Sequence, residues 1–510
     1  MNHSVKMRIL RVAVSVCAFS MVAQAQINLI YTFNQQYDGC CAAWAGLLAQ
    51  GRDGNLYGTM PTGVSSASNG TWFEYPIGGL PVIHPLKGNP YSPYSGFTLG
   101  LDGNLYGATV HGGNAPYGVL FKIAGGHFVT LYLFSGGANG SYPSVPPLQG
   151  VDGDLYGVTY DGSTEGVVYK VNPNSGALVW ARPLPSGSRA PLILASDGNF
   201  YGTYSHGGMT INGVAAANDN GGGVFRVTPA GVVTGVYNIN PLNRVTNGGY
   251  GDGGQPWGPV MQAADGKLYG TAGGDGRYNG GTVFKVGLDG SGFTVLHNFQ
   301  AADGTAPQGG LVQAADNNLY GLCSGGGIGQ GVEIPEGSLF KMDTGGMNFV
   351  NLFSFYRASG ASGVGPGSVP LATPTMHTDG TLYGVTSTGG TGAVGSSTYG
   401  AYDDGGEMFS YKTGTSPFIV VAGRRSAAVN DRVGIIGQGF LAATGVKFGG
   451  VSASWSPATV NIVSDTYMEV VVPAGARTGP VWVTTPTDTY STLYKFVITC
   501  NGPCISPMEP

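Results

Sequence analysis

One six-residue phrase, Asp-Gly-x-Leu-Tyr-Gly, is written seven times along this chain, and nothing else narrows its fold so far. It runs from Asp53 to Gly58, Asp102 to Gly107, Asp152 to Gly157, Asp197 to Gly202, Asp265 to Gly270, Asp316 to Gly321 and Asp379 to Gly384, with Phe200 for Leu in the fourth copy and Asn317 for Gly in the sixth. Each copy is followed, after a glycine-rich stretch of variable length, by an apolar-aromatic phrase such as Val119-Leu120-Phe121-Lys122, Val224-Phe225-Arg226 or Val283-Phe284-Lys285. A third phrase, clearest as Leu29-Ile30-Tyr31-Thr32-Phe33, Leu131-Tyr132-Leu133-Phe134 and Val295-Leu296-His297-Asn298-Phe299, completes the unit. A unit repeated in fixed order is one supersecondary element that buries its apolar face only against its neighbours.

Turn chemistry gives the unit its shape. Asp-Gly between short apolar segments marks a tight hairpin, where the glycine takes a positive φ without a Cβ clash. With the Val-Phe-Lys and Leu-x-x-Phe segments this predicts four antiparallel strands of four to six residues per unit, the form of a propeller blade. Composition closes the helical alternative: 91 Gly and 31 Pro make about 24% of 510 residues, against ~12% in an average protein, and each Gly inside a helix costs about 1 kcal/mol. With 42% hydrophobic and only 10% charged residues the chain must nonetheless fold. The expected fold is all-β: a seven-bladed β-propeller over residues 26–414, its repeated Tyr and Phe packed between blades. Ile27 to Phe33 should pair near Met408-Phe409 to close the ring.

The phrases Asp265-Gly266-Lys267-Leu268-Tyr269-Gly270-Thr271, Gly280-Gly281-Thr282-Val283-Phe284-Lys285 and Asp303-Gly304-x-x-Pro307-x-x-Gly310-Leu311 resemble the GloVer tandem repeats of bacterial exported proteins. The resemblance spans nearly all of residues 27–412 and implies architecture and export; it carries no activity to transfer.

From about Ser416 the repeat stops. Met468, Val470 and Val472 alternate around Glu469 and Val471, and Val481 and Val483 flank Trp482, the period of half-buried strands. A small β-sandwich over residues 415–499 is expected. The strings Gly445-Val446-Lys447-Phe448-Gly449-Gly450, Ser464-Asp465-Thr466 and Val472-Pro473-Ala474-Gly475-Ala476-Arg477-Thr478-Gly479-Pro480-Val481 resemble the IPT/TIG immunoglobulin-like family. That resemblance implies a spacer or interaction module, and Thr487-Asp488 departs from the usual glycine turn of its last hairpin.

Residues 1–25 read as a signal peptide: Lys6, Arg8 and Arg11, an apolar run from Ile9 to Val22, then Ala23-Gln24-Ala25. No later stretch reaches the ~18 apolar residues of a membrane span, so the protein is expected to be secreted or held at the cell surface. Without the leader, 20 basic residues face 28 acidic ones. No basic footprint for nucleic acid is present. Five cysteines remain, of which Cys500 and Cys504, in the tail 500–510, could close a small disulfide loop.

No cofactor motif is present: Gly221-Gly222-Gly223 and Gly325-Gly326-Gly327 lack the Lys-Ser/Thr of a phosphate loop, and Asp152-Gly153-Asp154 falls short of a Ca²⁺ loop. No metal site and no catalytic pair stand out. Counting from the repeated Tyr-Gly places His111, Asp161 and His206 at one repeat position, hence on successive blades at one rim, where longer loops add Arg277, Tyr278, Tyr399, Tyr402 and Asp403. Such a rim suits ligand binding by stacking and hydrogen bonding. The reading is an exported, non-catalytic protein that binds glycan or extracellular protein. A polysaccharide-active enzyme, which would need two rim carboxylates about 5 to 9.5 Å apart, and a purely structural protein remain as alternatives.

Overall fold

The computed structural model of the chain describes residues 27–34, 38, 48–62, 69–87, 91–113, 116–161, 166–214, 221–241, 251–329, 334–357, 367–388 and 404–499. Among these the fold is all-β, with two short 3-10 turns and no α-helix. From Asn28 to Lys412 the strands form seven four-stranded antiparallel sheets, one per repeat. The fifth is representative: Met261–Gln262, Leu268–Ala272, Thr282–Val286 and Thr294–Asn298, paired in chain order.

The repeated phrase builds the first hairpin. The Ala263 N–H donates to the Lys267 carbonyl at 3.0 Å and the Gly266 N–H to the Ala263 carbonyl at 3.0 Å, with Gly266 at φ +81°. Asn317, the one non-glycine at this place, adopts φ +62°, tolerated because asparagine visits the left-handed region more readily than other side chains. Asp265 fixes the turn twice, accepting from the Lys267 N–H at 3.0 Å and from the Tyr269 hydroxyl at 2.8 Å. The final glycine of the phrase has a different cause. Gly270 pairs directly with Phe284, and a Cβ there would stand 2.6 Å from the Phe284 ring. Each of the seven glycines from Gly58 to Gly384 lies under such a cross-strand ring, Tyr169 in the third sheet and Phe in the others.

The first strand of every sheet is only two residues long, shorter than the sequence suggests. The first strands of sheets one and two touch, as do those of six and seven, whereas fourth strands are mostly exposed or half-buried. The short strands are therefore the converging edge. Their ladder breaks at Pro- and Gly-rich segments and resumes as a single bridge: Met261 and Gln262 pair with Tyr269 and Leu268, and Gly254 then pairs with Gly274.

Packing between sheets is cyclic. Phe121 packs with Ala49 and Trp72, Tyr169 with Leu120, Phe200 with Tyr156, Phe284 with Tyr201, Phe340 with Tyr269, and Phe409 with Tyr320, linking sheets one to seven in order. Met408 and Tyr383 then meet Leu56 and Phe73, returning the seventh sheet to the first. The seventh sheet is completed from the other end of the chain: Asn28–Asn34 pairs with Asp404–Lys412, Leu29 opposite Phe409 and Thr32 opposite Glu407. This is the pairing that the early and late apolar phrases predict.

Beyond the seventh sheet, Val420–Val421, Arg432–Ile436, Tyr467–Val471 and Val460–Ile462 form one sheet and Val451–Ser452, Gly445–Phe448, Val481–Thr484 and Thr489–Ser491 another. Val433, Ile435, Phe448, Met468, Val470 and Val483 fill one core between them, so the period-two alternation has its physical cause in this burial. This C-terminal unit seats on the Asp-Gly turn end of the repeat. The Arg52 carbonyl accepts from the Ser464 and Thr466 hydroxyls at 3.1 and 2.6 Å, and the Arg52 guanidinium lies 4.1 Å over the Tyr467 ring. Gln438 donates to the Thr378 hydroxyl at 2.9 Å, and Leu99 joins a cluster with Ile436 and Tyr467. Sheets seven, one and two thus carry it.

Candidate functional site

An antiparallel sheet has two ends, and here they differ in kind. The Asp-Gly turns are short, uniform and partly covered by the C-terminal unit. The opposite end carries the connections between second and third strands, which vary in length, together with the segments that lead into each first strand. One position on that variable end is fixed by backbone alone. His111 exchanges hydrogen bonds with Tyr91 (3.2 and 3.3 Å) and Asp161 with Ser141 (2.8 and 3.2 Å), and Gly274, Gly325 and Thr388 pair the same way with Gly254, Thr305 and Ser368. A threonine two residues earlier turns back to hold the loop: Thr109 donates to the His111 carbonyl at 2.7 Å and Thr159 to the Asp161 carbonyl at 2.8 Å. At His206 the hydroxyl of Ser186 takes the pairing role, accepting from the His206 N–H at 3.0 Å. Because the main chain is held by itself, the side chain at this position is free to vary, and it does: His, Asp, His, Gly, Gly and Thr in sheets two to seven.

The five described residues of the sequence-predicted site divide into three places. His111 stacks on Tyr91 with centroids 5.3 Å apart and meets the edge of Tyr142 at 5.3 Å. Tyr142 follows Ser141, the partner of Asp161, and its carbonyl accepts from the Tyr160 N–H at 3.2 Å. His111 and Asp161 therefore share one continuous stretch of rim. Next along it, the Arg189 guanidinium lies 4.3 Å over the Tyr160 ring, and His206, exposed, stands on Ser186 with its Nδ1 2.9 Å from the Ser205 hydroxyl. Arg277 and Tyr278 form a separate exposed pair at the fifth sheet, guanidinium 5.2 Å over ring, anchored where the Arg277 N–H donates to Asn298 at 2.9 Å. Tyr399, Tyr402, Asp403, Cys500 and Cys504 lie outside the described residues.

Sequence reasoning missed Tyr91, Tyr142, Tyr160 and Arg189. Their signal is positional: Tyr91 lies 20 residues before His111, as Ser141 does before Asp161 and Ser186 before His206, and a proline two residues on, Pro93, Pro143, Pro256, Pro307 and Pro370, marks the same place in five of the sheets. Tyr91, Tyr160 and Tyr278 are 37%, 42% and 50% exposed, unusual for residues so often buried elsewhere in this chain. Of the other described histidines His127 is exposed and three are packed: His377 is buried, His84 stacks on Trp72 at 3.8 Å, and His297 on Phe349 at 4.0 Å with Asp303 at 3.1 Å, where burial lowers the imidazole pKa and the carboxylate opposes the shift. Among the described residues no group of three or more His, Cys, Asp and Glu side chains is placed to hold a metal, and no helix is long and apolar enough to cross a membrane.

The sequence pattern of the Gloeobacter/Verrucomicrobia repeat matches residues 44–244 and 188–450. No curated protein matches the chain. Among solved structures, a fungal alcohol oxidase of the AA5 family, in complex with copper, aligns at 13% identity over 93% of this chain and 100% of its own, with a TM-score of 0.49. PorZ, a bacterial surface component of the type-IX secretion system of Porphyromonas gingivalis, aligns at 13% identity over 92% of this chain and 61% of its own, with a TM-score of 0.45.

Proposed function

Since this chain belongs to the Gloeobacter/Verrucomicrobia repeat family, we propose that it is an exported, non-catalytic seven-bladed β-propeller that binds glycan or protein outside the cell. In this reading residues 1–25 are the export signal, residues 26–414 the propeller and residues 415–499 an immunoglobulin-like IPT/TIG module that seats on the closed end. The carrying observation is the aromatic row Tyr91, His111, Tyr142 and Tyr160, continued by Arg189, on the end that the C-terminal unit leaves open. Exposed Tyr91 and Tyr160 with half-buried His111 and Tyr142, at an end held by main-chain hydrogen bonds, offer flat apolar faces with polar edges, suited to the mixed faces of a sugar or to an extended peptide. Asp161 and His206 supply hydrogen-bonding groups beside them.

The test is a glycan array on the purified mature protein beside the variant His111→Ala/Asp161→Ala/His206→Ala and a second variant, Tyr91→Ala/Tyr160→Ala. Selective binding, lost at least tenfold in both variants while their thermal transitions stay within a few degrees of the parent, is the expected result. Glycan binding that neither variant weakens puts the site elsewhere. No binding to any glycan leaves protein contact or structural assembly as the function.

A further inference from the structure

The C-terminal unit rests on sheets seven, one and two but does not lie flush over the whole turn end. On the side of sheets five to seven a cavity of about 350 Å³ remains between it and the converging first strands. Met261, Val312 and Met376 line it from the repeat, and Phe418, Arg425 and Tyr494 from the C-terminal unit. Its volume is that of about a dozen waters at ~30 Å³ each and falls in the size range of small-ligand pockets.

Arg425 is the single charged residue in this lining. Two other arginines of the C-terminal unit do have carboxylate partners: Arg424 pairs with Asp431 at 3.4 Å, and Arg432 with Glu469 at 3.9 Å. Arg425 has no carboxylate partner among the described residues, and its guanidinium lies 4.2 Å over the Tyr494 ring. That ring is itself fixed, since its hydroxyl accepts from the Val421 N–H at 3.1 Å. Burial lowers the guanidinium pKa, and the nearby Tyr494 phenol only partly opposes this. A half-buried cation without a counter-charge is disfavoured, and an aromatic face offsets only part of that. An anion whose remaining atoms are apolar would answer both the charge and the lining.

We infer that this cavity is a binding site for a small amphiphilic carboxylate, its carboxylate paired with Arg425 and its apolar body held among Met261, Val312, Met376 and Phe418. The site is separate from the open end and independent of what that end binds. Occupancy bridges the repeat and the C-terminal unit, so a ligand here also stiffens their seating.

Isothermal titration of the full mature chain with octanoate and with 3-phenylpropanoate tests it, with octanol and octylamine as uncharged and cationic counterparts. The expected result is saturable one-to-one binding of at least one acid, binding at least tenfold weaker for octanol and none for octylamine. Arg425→Gln should weaken acid binding at least tenfold. Val312→Trp, which fills the cavity and leaves Arg425 untouched, should abolish it while unfolding stays cooperative. Failure of both acids to bind, octanol binding as well as octanoate, or full affinity in Val312→Trp would overturn the assignment.

Discussion

A tyrosine hydroxyl resting on an aspartate four residues earlier is the smallest recurring device in this molecule. It is made by Tyr57, Tyr106, Tyr156, Tyr201, Tyr269 and Tyr320 at 2.6 to 2.9 Å. In the seventh sheet His377 replaces it, its Nδ1 3.0 Å from Asp379 while its Nε2 donates to the Gly54 carbonyl at 2.9 Å. Burial first, and the aspartate second, push each of the six phenols well above the usual tyrosine range, and Tyr31, over Asp38, rises to about 12. Below pH 10 a phenol is protonated both folded and unfolded, so stability is insensitive to it. Above pH 10 the unfolded chain releases protons that the folded one retains, and each such tyrosine removes about 1.4 kcal/mol of stability per pH unit. Thermal melting should therefore fall only gently from pH 8 to 9.5, where the unfolded chain loses the proton that burial keeps on the Cys323 thiol, and fall steeply from pH 10 upward, with a shallower fall in Tyr269→Phe. The glycine under each ring gives a second residue-scale expectation. Gly270→Ala forces a Cβ against Phe284 and should cost about 1 to 3 kcal/mol in urea unfolding, most of it recovered in Gly270→Ala/Phe284→Leu. The turn glycine was legible because Asp-Gly is local chemistry; the reason for the other glycine was not, because the ring above Gly270 lies 14 residues away in sequence and becomes its neighbour only through pairing.

Between elements, the recurring device is a glutamine at the second place of a first strand. Gln262 accepts from the Ser196 N–H of the preceding sheet's turn at 2.9 Å and donates to the Gly266 carbonyl of its own at 3.0 Å. Gln149, Gln313 and Gln50 reach Leu101, Ala264 and Thr378 of their preceding sheets in the same way. Replacing Gln262 by Leu should leave the Ser196 N–H unpaired at a cost of about 1 to 3 kcal/mol, read as a lower urea midpoint at unchanged slope. Sheets two, four and seven carry Leu99, Leu194 and Met376 instead; Leu99 packs under the C-terminal unit and Met376 lines the cavity. Strand content and order followed from phrase order and turn chemistry. The two-residue length of the first strands did not, since it depends on how sheets converge. The rim position of His111, Asp161 and His206 was reached by counting from Tyr-Gly. Tyr91 and Tyr142 stand beside a proline that recurs before the first strands, Pro93 and Pro143, so their place was legible though their stacking was not; Arg189 was hidden because its segment lacks that proline.

For the whole molecule the decisive contact is the pairing of Asn28–Asn34 with Asp404–Lys412. Deleting residues 26–34 strips that edge and removes Ile27 and Phe33 from two of the cyclic clusters. The truncated protein should lose its cooperative thermal transition and self-associate through the bared strand, as size-exclusion chromatography would report, and a synthetic peptide of residues 26–36 should restore the monomer. The same contact sets an order in time. Thr32 must wait for Glu407, 375 residues later, which at the usual 5–20 residues per second of synthesis is about 20 to 75 s. Until then the first strand has no partner, and the sheets already formed can stack as an open arc but not as a circle. The C-terminal unit, made last and seated on sheets seven, one and two, finds its floor only after that closure, so the final stretch of chain to emerge fastens the join left waiting by the first.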